Sequence, residues 1–261
     1  MNYNYHTHTH LCSHASGTME EYVLRAIDCG ITHMGFSDHI PYVCANGKET
    51  GYRIPTAKTQ DYFNEINDLK KKYGDKIDIK IGFEMEYYHD YFKKMFDFAK
   101  KSGPEYLILG EHHIDDESIS TQHTMALSDS QERLSAYANL VVEAIETEVF
   151  TYIAHPDVFY FAGDNDFYKN QMRKICVASK KHNIPLEINL LGIRENRTYP
   201  KEIFWQIAGE EQCPVTFGFD AHDVLSAYDA DSIIIAKEWV KKFNLNYIGK
   251  PEIINIQKLQ F

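Results

Sequence analysis

The chain has 261 residues, of which 44% are hydrophobic and 25% are charged, and its formal net charge is −11. This composition is typical of a folded protein, and the acidic balance argues against a protein that binds along a nucleic-acid backbone. The five cysteines form no CxxC pair, and neither a signal peptide nor a 20-residue apolar run is recognised, so we expect a soluble, cytoplasmic protein without disulfides or membrane contact.

Short β-rich runs alternate with amphipathic helical stretches along the whole chain. The first predicted strand, at 2–6, precedes a helix from Met19 to Cys29, for which Thr18 and Glu21 form a capping box and Gly30 the stop. Six more strands are predicted at 32–37, 77–84, 106–111, 151–155, 185–190 and 214–220. The remaining helices are predicted near 59–73, 89–102, 130–148, 167–182, 200–211 and 226–243.

This alternation predicts the α/β fold class with a parallel sheet. Seven units without a glycine-rich linker favour one domain over residues 1–261, built as a closed or nearly closed β/α barrel. An open, doubly wound sheet is the alternative. The long loops at 40–58 and 112–128 are expected to be functional, as long loops in compact domains usually are.

Histidines and carboxylates follow the predicted strands at their carboxyl ends, which in a barrel all meet at one mouth. Residues two apart on a strand share a face, so two such side chains can bind the same ion. Imidazole and carboxylate are ligands that zinc, iron and manganese accept. Nine candidate ligands would suit two or three such ions: His6, His8, His14, His39, Glu84, His112, His155, Asp220 and His222.

Other residues of these types have simpler interpretations. Asp38 is expected to orient a ligand histidine, His10 is a weak candidate ligand, and Cys12 is expected to be a small buried apolar residue. Four more histidines are expected to be ordinary core or surface residues: His33, His89, His123 and His182.

Six motifs in order resemble those of the polymerase and histidinol phosphatase (PHP) superfamily, and within it the stand-alone histidinol-phosphate phosphatases. They are HTHTHLCSH, SDHIP, GFEMEY, LGEHH, AHPD and FGFDAHD, and they extend over almost the entire chain. Each motif alone is weak, but their common order and separations make the resemblance specific.

The resemblance implies a distorted (β/α)7 TIM-like barrel that holds a trinuclear metal cluster. By its motifs, the three metals would be held by His6, His8, Glu84 and Asp220, by Glu84, His112 and His155, and by His14, His39 and His222. In LGEHH, His112 aligns with the family's ligand and His113 is left free.

The resemblance also implies a metal-dependent phosphomonoesterase that uses a metal-bridging hydroxide, with histidinol phosphate as the expected small phosphorylated substrate. In the segment LEINLLGIRENRTYP, Arg194 would contact the phosphate, with Arg197 second and Arg53 of the loop GYRIP third. Glu84 would act at the bridged metals, and His113 is a candidate proton donor to the leaving group.

Three other functions stay open at this point. A PHP nuclease or nucleotide phosphoesterase is disfavoured by the net charge and by the absence of a basic and aromatic stripe. An amidohydrolase would need a mid-chain metal-binding lysine, where this sequence has Glu111 and His112. A non-catalytic metal-binding barrel would have the same ligands without turnover.

Overall fold

Seven strands and eight helices lie in the part of the chain that a computed structural model describes, residues 1–119 and 122–259. The strands are β1 (Tyr3–Asn4), β2 (His33–Phe36), β3 (Asp78–Met85), β4 (Tyr106–Leu109), β5 (Leu186–Asn189), β6 (Pro214–Gly218) and β7 (Asn246–Tyr247). The helices are α1 (Met19–Asp28), α2 (Thr59–Tyr73), α3 (Phe92–Ser102), α4 (Gln131–Glu146), α5 (Asn165–His182), α6 (Leu190–Arg194), α7 (Glu202–Glu211) and α8 (Ala230–Lys242).

The strands pair in parallel, as predicted, but they form two sheets. β1 to β4 lie in chain order in one sheet, a parallel half-barrel, and β5 to β7 lie in chain order in the other. The register pairs Met34 with Ile79 and Glu84 with Ile108, which places the ends of β2, β3 and β4 at one edge. The α/β class is therefore confirmed, whereas the regular strands do not make up one continuous seven-stranded barrel.

The segment between the two sheets corrects the strand predicted at 151–155. Only Ile153 forms bridge pairs there, with Leu109 of β4 and Leu186 of β5. Its amide donates to the carbonyl of Pro185 (2.9 Å), so the chain lies beside β5 without forming a regular strand. Pairing stops at His155, whose φ of 31° turns the backbone out of the extended conformation.

Local sequence signals account for most helix ends. The predicted capping box starts α1, since Thr18 Oγ1 accepts from the amide of Glu21 (3.3 Å) and Glu21 Oε2 accepts from the amide of Thr18 (2.7 Å). The one-turn α6 was not predicted, although the side chain of Asn189 accepts from the amide of Gly192 (3.1 Å) and caps it. None of the described helices is both long and apolar enough to cross a membrane.

The buried apolar residues form two clusters. The smaller, inner cluster consists mainly of tyrosines from the strands, and the larger one includes residues of both strands and helices. Tyr106 is central to the inner cluster, and its hydroxyl donates to the carbonyl of Tyr5 (2.8 Å). A Cβ at Gly35 or Gly82 would lie 2.2 or 2.4 Å from the Tyr106 side chain, so glycine on β2 and β3 makes room for this ring.

Candidate metal centre

A cavity of about 480 Å³ opens at the carboxyl ends of the strands. The structure brings all nine predicted ligands to this end of the fold. Each belongs to a group of three or four side chains whose possible ligand atoms lie within 4.8 Å of one another: His6, His8, His14, His39, Glu84, His112, His155, Asp220 and His222. Their convergence follows from the parallel strand arrangement, which puts the end of each strand on the same side.

Glu84, on β3, lies at the centre of this group and is 1% exposed. A Cβ at Gly110 would lie 1.9 Å from Glu84 Oε1, so only glycine after β4 leaves space for the carboxylate. The carboxylate faces five histidines: Oε1 faces Nε2 of His155 (3.0 Å), His6 (3.6 Å) and His112 (3.6 Å), and Oε2 faces His39 Nδ1 (3.2 Å) and His8 Nε2 (3.5 Å). This is the arrangement of a carboxylate that can bridge two ions.

Asp220, just after β6, is the second carboxylate of the group. Its Oδ1 faces His8 Nε2 (3.2 Å), His222 Nδ1 (3.3 Å) and His6 Nε2 (3.5 Å). Asp220 has a φ of 49°, so it shares the left-handed backbone conformation of His155. At both positions the backbone leaves the extended conformation at the residue that supplies the candidate ligand.

A third set of imidazoles lies beside these carboxylates. The rings of His8 and His222 stack with centroids 4.0 Å apart, and His14 lies 4.8 Å from His222 and 5.4 Å from His39. Imidazole nitrogens of all four residues lie within 4.8 Å of one another. His14, from the loop after β1, is thus brought to the site as the sequence predicted.

The donor atoms of the cluster fit divalent cations. Four buried atoms that face one another have no hydrogen-bond partner among the described residues: His6 Nε2, His39 Nδ1, Glu84 Oε2 and Asp220 Oδ1. Leaving a buried polar atom without a partner costs about 1–3 kcal/mol, and each of these would be satisfied by a cation. Nitrogen and oxygen donors in this number are the set that zinc, iron or manganese accepts.

Carboxylates outside the cluster hold the histidine rings in place. His6 Nδ1 lies 2.8 Å from Glu187 Oε1, His8 Nδ1 lies 3.3 Å from Asp38 Oδ1, and His112 Nδ1 lies 2.9 Å from Glu86 Oε1. When Nδ1 donates in this way, Nε2 is left with a lone pair for a metal. The role expected for Asp38 matches this geometry, whereas Glu187 was missed, although a carboxylate within an apolar strand is itself a signal.

The charges of the side chains in the cluster shift one another's pKa values. Burial disfavours a charged imidazole, yet Glu187, Asp220 and Glu84 raise the pKa of His6 well above its ordinary value. Burial also opposes ionisation of Glu84, yet the facing rings of His112, His39 and His6 hold the pKa of its carboxyl well below the usual range. The cluster therefore favours positive charge at its centre, whether protons or metal cations supply it.

The adjacent residues His112 and His113 differ clearly in position. His112 faces Glu84 and lines the cavity. His113 packs against Tyr52 (6.4 Å between ring centroids) and His123 (5.0 Å), which line the cavity themselves. Burial lowers the pKa of His113. Its predicted role as the proton donor stays a prediction.

The three predicted phosphate-binding arginines are placed differently from one another. Arg197 lines the cavity. Arg194, the residue ranked first, lies in a separate cavity beside α1 and α8, with its Nη1 3.8 Å from Asp229 Oδ2. The two arginines are placed differently because α6 ends between them. Arg194 is the last residue of this one-turn helix, and the chain then turns back, with the Arg197 amide donating to the carbonyl of Gly192 (2.9 Å).

Arg53 is buried behind the cavity and is 1% exposed. Its Nη2 donates to Glu86 Oε2 (2.6 Å) and its Nε to Glu117 Oε1 (2.9 Å), while its Nη1 donates to the carbonyl of Ile40 (3.3 Å). The guanidinium also lies 5.1 Å from the centre of the Tyr52 ring. Buried and paired with two carboxylates, Arg53 does not line the cavity and is not brought there as a phosphate contact.

Several cavity residues were not identified from the sequence. His123, expected to be an ordinary histidine, lines the cavity, and its Nδ1 accepts from the amide of Met125 (3.1 Å). Its position in the long loop at 112–128 was the available signal. Other residues that had not been singled out also line the cavity, among them Tyr52, Glu195 and Tyr199.

The histidines not predicted to be ligands, and Cys12, lie largely where the sequence predicted. Three histidines pair with carboxylates away from the cavity: His33 with Asp78, His89 with Glu143 and His182 with Glu148. His10 is exposed and lies in none of the ligand groups. Cys12 is buried, and it also lies within ligand distance of His8 and Asp38.

Known proteins resemble this chain in sequence and in fold. Residues 4–190 match the family model of the PHP domain. A probable histidinol-phosphatase of Deinococcus radiodurans is 24% identical over 231 residues, which cover 83% of this chain and 85% of the relative. A histidinol-phosphatase of Bacillus subtilis is 25% identical, with 86% and 96% of the two chains covered.

Among solved structures, the fold resembles a histidinol phosphate phosphatase of Lactococcus lactis in complex with zinc, L-histidinol and phosphate. The TM-score is 0.75 at 20% sequence identity, with 100% of this chain and 99% of that chain covered. The putative histidinol phosphatase of Listeria monocytogenes has a TM-score of 0.71 at 22% identity, with 88% and 99% covered. The likeness thus extends over essentially the whole fold.

Proposed function

The chain belongs to the PHP domain family, and on that basis we propose that it is a metal-dependent phosphomonoesterase that hydrolyses L-histidinol phosphate to L-histidinol and phosphate. The observation that carries the proposal is the group of nine ligand side chains around Glu84, in a cavity that Arg197 also lines. The sequence relatives are histidinol-phosphatases, and they are matched over more than four fifths of this chain.

The cluster would hold two or three divalent cations, with zinc, iron and manganese as the candidates. The division expected from the family motifs is His6, His8, Glu84 and Asp220 around one ion, Glu84, His112 and His155 around another, and His14, His39 and His222 around a third. The groups of close ligand atoms support the first and third sets, and the second is supported by the contacts of Glu84 Oε1 with His112 and His155. Glu84 would be shared, because its carboxylate faces His6 and His8 of the first set as well as His112 and His155 of the second.

Such cations, when bound, would lower the pKa of water to about 7 and offset charge on the attacking and leaving oxygens. Side chains of the protein would position the substrate. Arg197 can hold phosphate oxygens at the cavity wall, because guanidinium and phosphate match in a two-point hydrogen bond. Its Nη1 donates to Tyr199 Oη (3.0 Å), which restricts the guanidinium to the cavity side of its loop. We assign Arg197, rather than Arg194 or Arg53, to this contact.

The fold and setting of the enzyme complete the proposal. The amides of Thr151 and Ala154 donate to carbonyls of β4 (2.8 Å each), and Thr7 forms a bridge pair with Ala221 after β6. These contacts support one distorted seven-position barrel that includes residues 1–261 as a single domain. A cytoplasmic enzyme acting on a small phosphorylated substrate, without nucleic acid, agrees with the net charge of −11.

A phosphate-release assay tests this function. Metal-loaded protein is given L-histidinol phosphate, an aryl phosphate, a mononucleotide and a dinucleotide, each with and without chelator. We expect L-histidinol phosphate to be hydrolysed with the highest kcat/KM, and chelator to abolish turnover. Preference for the nucleotides would instead indicate a nucleotide phosphoesterase, and metal binding without any turnover would indicate a non-catalytic protein; either result would overturn the proposal.

A further inference from the structure

We propose that Glu195 forms a subsite for a protonated amine, so that Glu195 and Arg197 together select phosphomonoesters with an ammonium group on the second carbon from the ester oxygen. The inference rests on the proposed function and extends it. It assigns a role in substrate selection to a carboxylate that takes no part in the metal cluster.

Glu195 is distinguished by its position in the cavity. Among the described residues that line the cavity, three are carboxylates, and Glu84 and Asp220 belong to the ligand groups. Glu195 is the third, and Arg197 is the one lysine or arginine in that lining. Apart from the candidate metal ligands, the lining therefore presents one carboxylate, Glu195, and one guanidinium, Arg197, whose side chains are 48% and 33% exposed.

The two side chains are in direct contact. Glu195 Oε2 accepts from Nε of Arg197 (2.8 Å) and forms an ion pair with its Nη2 (2.8 Å). Among the described residues, Glu195 Oε1 has no hydrogen-bond partner. Arg197 Nη1 also donates to Tyr199 Oη (3.0 Å), so these two hydrogen bonds leave part of the five-donor guanidinium unused. The pair thus has a free carboxylate oxygen and a free part of the guanidinium, side by side.

The backbone that carries the pair is held firmly. Glu195 donates its amide to the carbonyl of Leu191 (2.9 Å) at the end of α6, and Arg197 donates its amide to the carbonyl of Gly192 (2.9 Å). A Cβ at Gly192 would lie 2.3 Å from the carbonyl oxygen of Tyr199, so glycine allows this turn to close. A ligand with two charges therefore meets a preorganised site, which lowers the entropic cost of binding.

The chemistry of the pair specifies the ligand. A phosphate would bind the free N–H groups of Arg197, and an ammonium group would bind the free oxygen of Glu195. Because these partners are adjacent, the two charges of the ligand must also lie only a few bonds apart. L-histidinol phosphate meets this condition, since its amine lies on the carbon next to the one that carries the ester oxygen.

The test compares kcat/KM for L-histidinol phosphate with that for the same ester lacking the amine. The metal-loaded proteins are wild type, Glu195→Gln and Glu202→Gln; the last removes a carboxylate that forms a surface ion pair with Lys242 and lies outside the cavity lining. In Glu195→Gln the new amide keeps an oxygen that can accept from Arg197 but has no charge. We expect wild type to prefer the amine ester, E195Q to lose at least tenfold of that preference, and E202Q to keep it within twofold.

Two results would overturn the subsite while leaving the phosphatase function intact. One is hydrolysis of both esters by wild type with equal kcat/KM. The other is an equal loss on both esters in Glu195→Gln, which would mean that Glu195 only positions Arg197. Failure of the wild type to hydrolyse any phosphomonoester would overturn the proposed function, and the subsite with it.

Discussion

The Glu84 carboxylate is faced by five imidazoles and has little access to water. Two unit charges 4 Å apart repel by about 4 kcal/mol at an effective dielectric of 20, so neighbouring cations need an anion between them. We therefore expect Glu84→Gln to lose bound metal and activity together, although the side chain keeps its shape. Elemental analysis of the purified variant, with Glu202→Gln as a folded control, measures this; full metal content in Glu84→Gln would contradict the bridging role.

His112 and His113 provide a second comparison, because they are adjacent but only His112 faces Glu84. We expect His112→Asn to reduce bound metal by at least one ion per chain and His113→Asn to retain the wild-type content. Isothermal titration of the metal-free proteins would count the ions bound. If His113→Asn loses the ion instead, the alignment of LGEHH with the family motif is off by one residue.

At the scale of residues, the sequence located the candidate metal ligands better than the arginine that lines the cavity. The ligands follow from strand ends, and strand ends can be located from the pattern of apolar residues. The position of an arginine depends on the loop that carries it. Arg194 and Arg197 are three residues apart but lie in different cavities. The sequence did not show this difference, because α6 and the turn after it were not predicted.

At the scale of elements, the loops at 40–58 and 112–128 are joined behind the cavity. Arg53 of the first loop holds Glu117 of the second and Glu86 at the end of β3, and Glu86 in turn accepts from His112 Nδ1. This buried network connects two loops to one ligand histidine. This network gives Arg53 a structural role that does not depend on any contact with substrate.

Substitutions at Arg53 should therefore affect metal binding without contacting the metals. We expect Arg53→Lys to weaken metal affinity about 10- to 100-fold, because a single ammonium cannot hold both Glu86 and Glu117 in place. Arg53→Met should also lower the free energy of unfolding by about 3–5 kcal/mol, since it leaves buried carboxylates unpaired. Competition with a chromophoric chelator and urea unfolding measure the two effects; unchanged affinity in Arg53→Lys would exclude the link to His112.

The elements themselves were largely predictable, and the differences have a common cause. Helices with full apolar periodicity, such as α2 (Thr59–Tyr73), lie where the sequence predicted them. The strand predicted at 151–155 and the unpredicted β7 (Asn246–Tyr247) both contain very few paired residues. Such short pairings depend on the neighbouring strand rather than on the segment's own sequence.

At the scale of the whole molecule, the cluster couples folding to metal and to pH. Carboxylates raise the pKa of His6 and His8 well above the ordinary value in the absence of metal, despite their burial, so bound protons take the place of cations. Metal must displace these protons, and its affinity should rise as the pH rises. Because metal binds the folded chain, a free concentration one thousand times the Kd would stabilise it by about 4 kcal/mol.

Thermal unfolding with and without chelator measures this coupling. We expect the metal-loaded protein to melt roughly 8 °C or more above the chelated protein at pH 8, and the difference to shrink at pH 6. Glu84→Gln should show a much smaller difference at both values. An equal difference at pH 6 and pH 8 would mean that metal binding displaces no protons.

The left-handed backbones of His155 and Asp220 also have a consequence for how this protein can change. Such conformations cost a non-glycine residue about 1–3 kcal/mol, and glycine would remove most of that cost. Glycine would also remove the candidate ligand. At these two positions selection for a heat-resistant chain and selection for a working enzyme oppose each other, so stabilising this protein by consensus or screening requires that both positions be held constant.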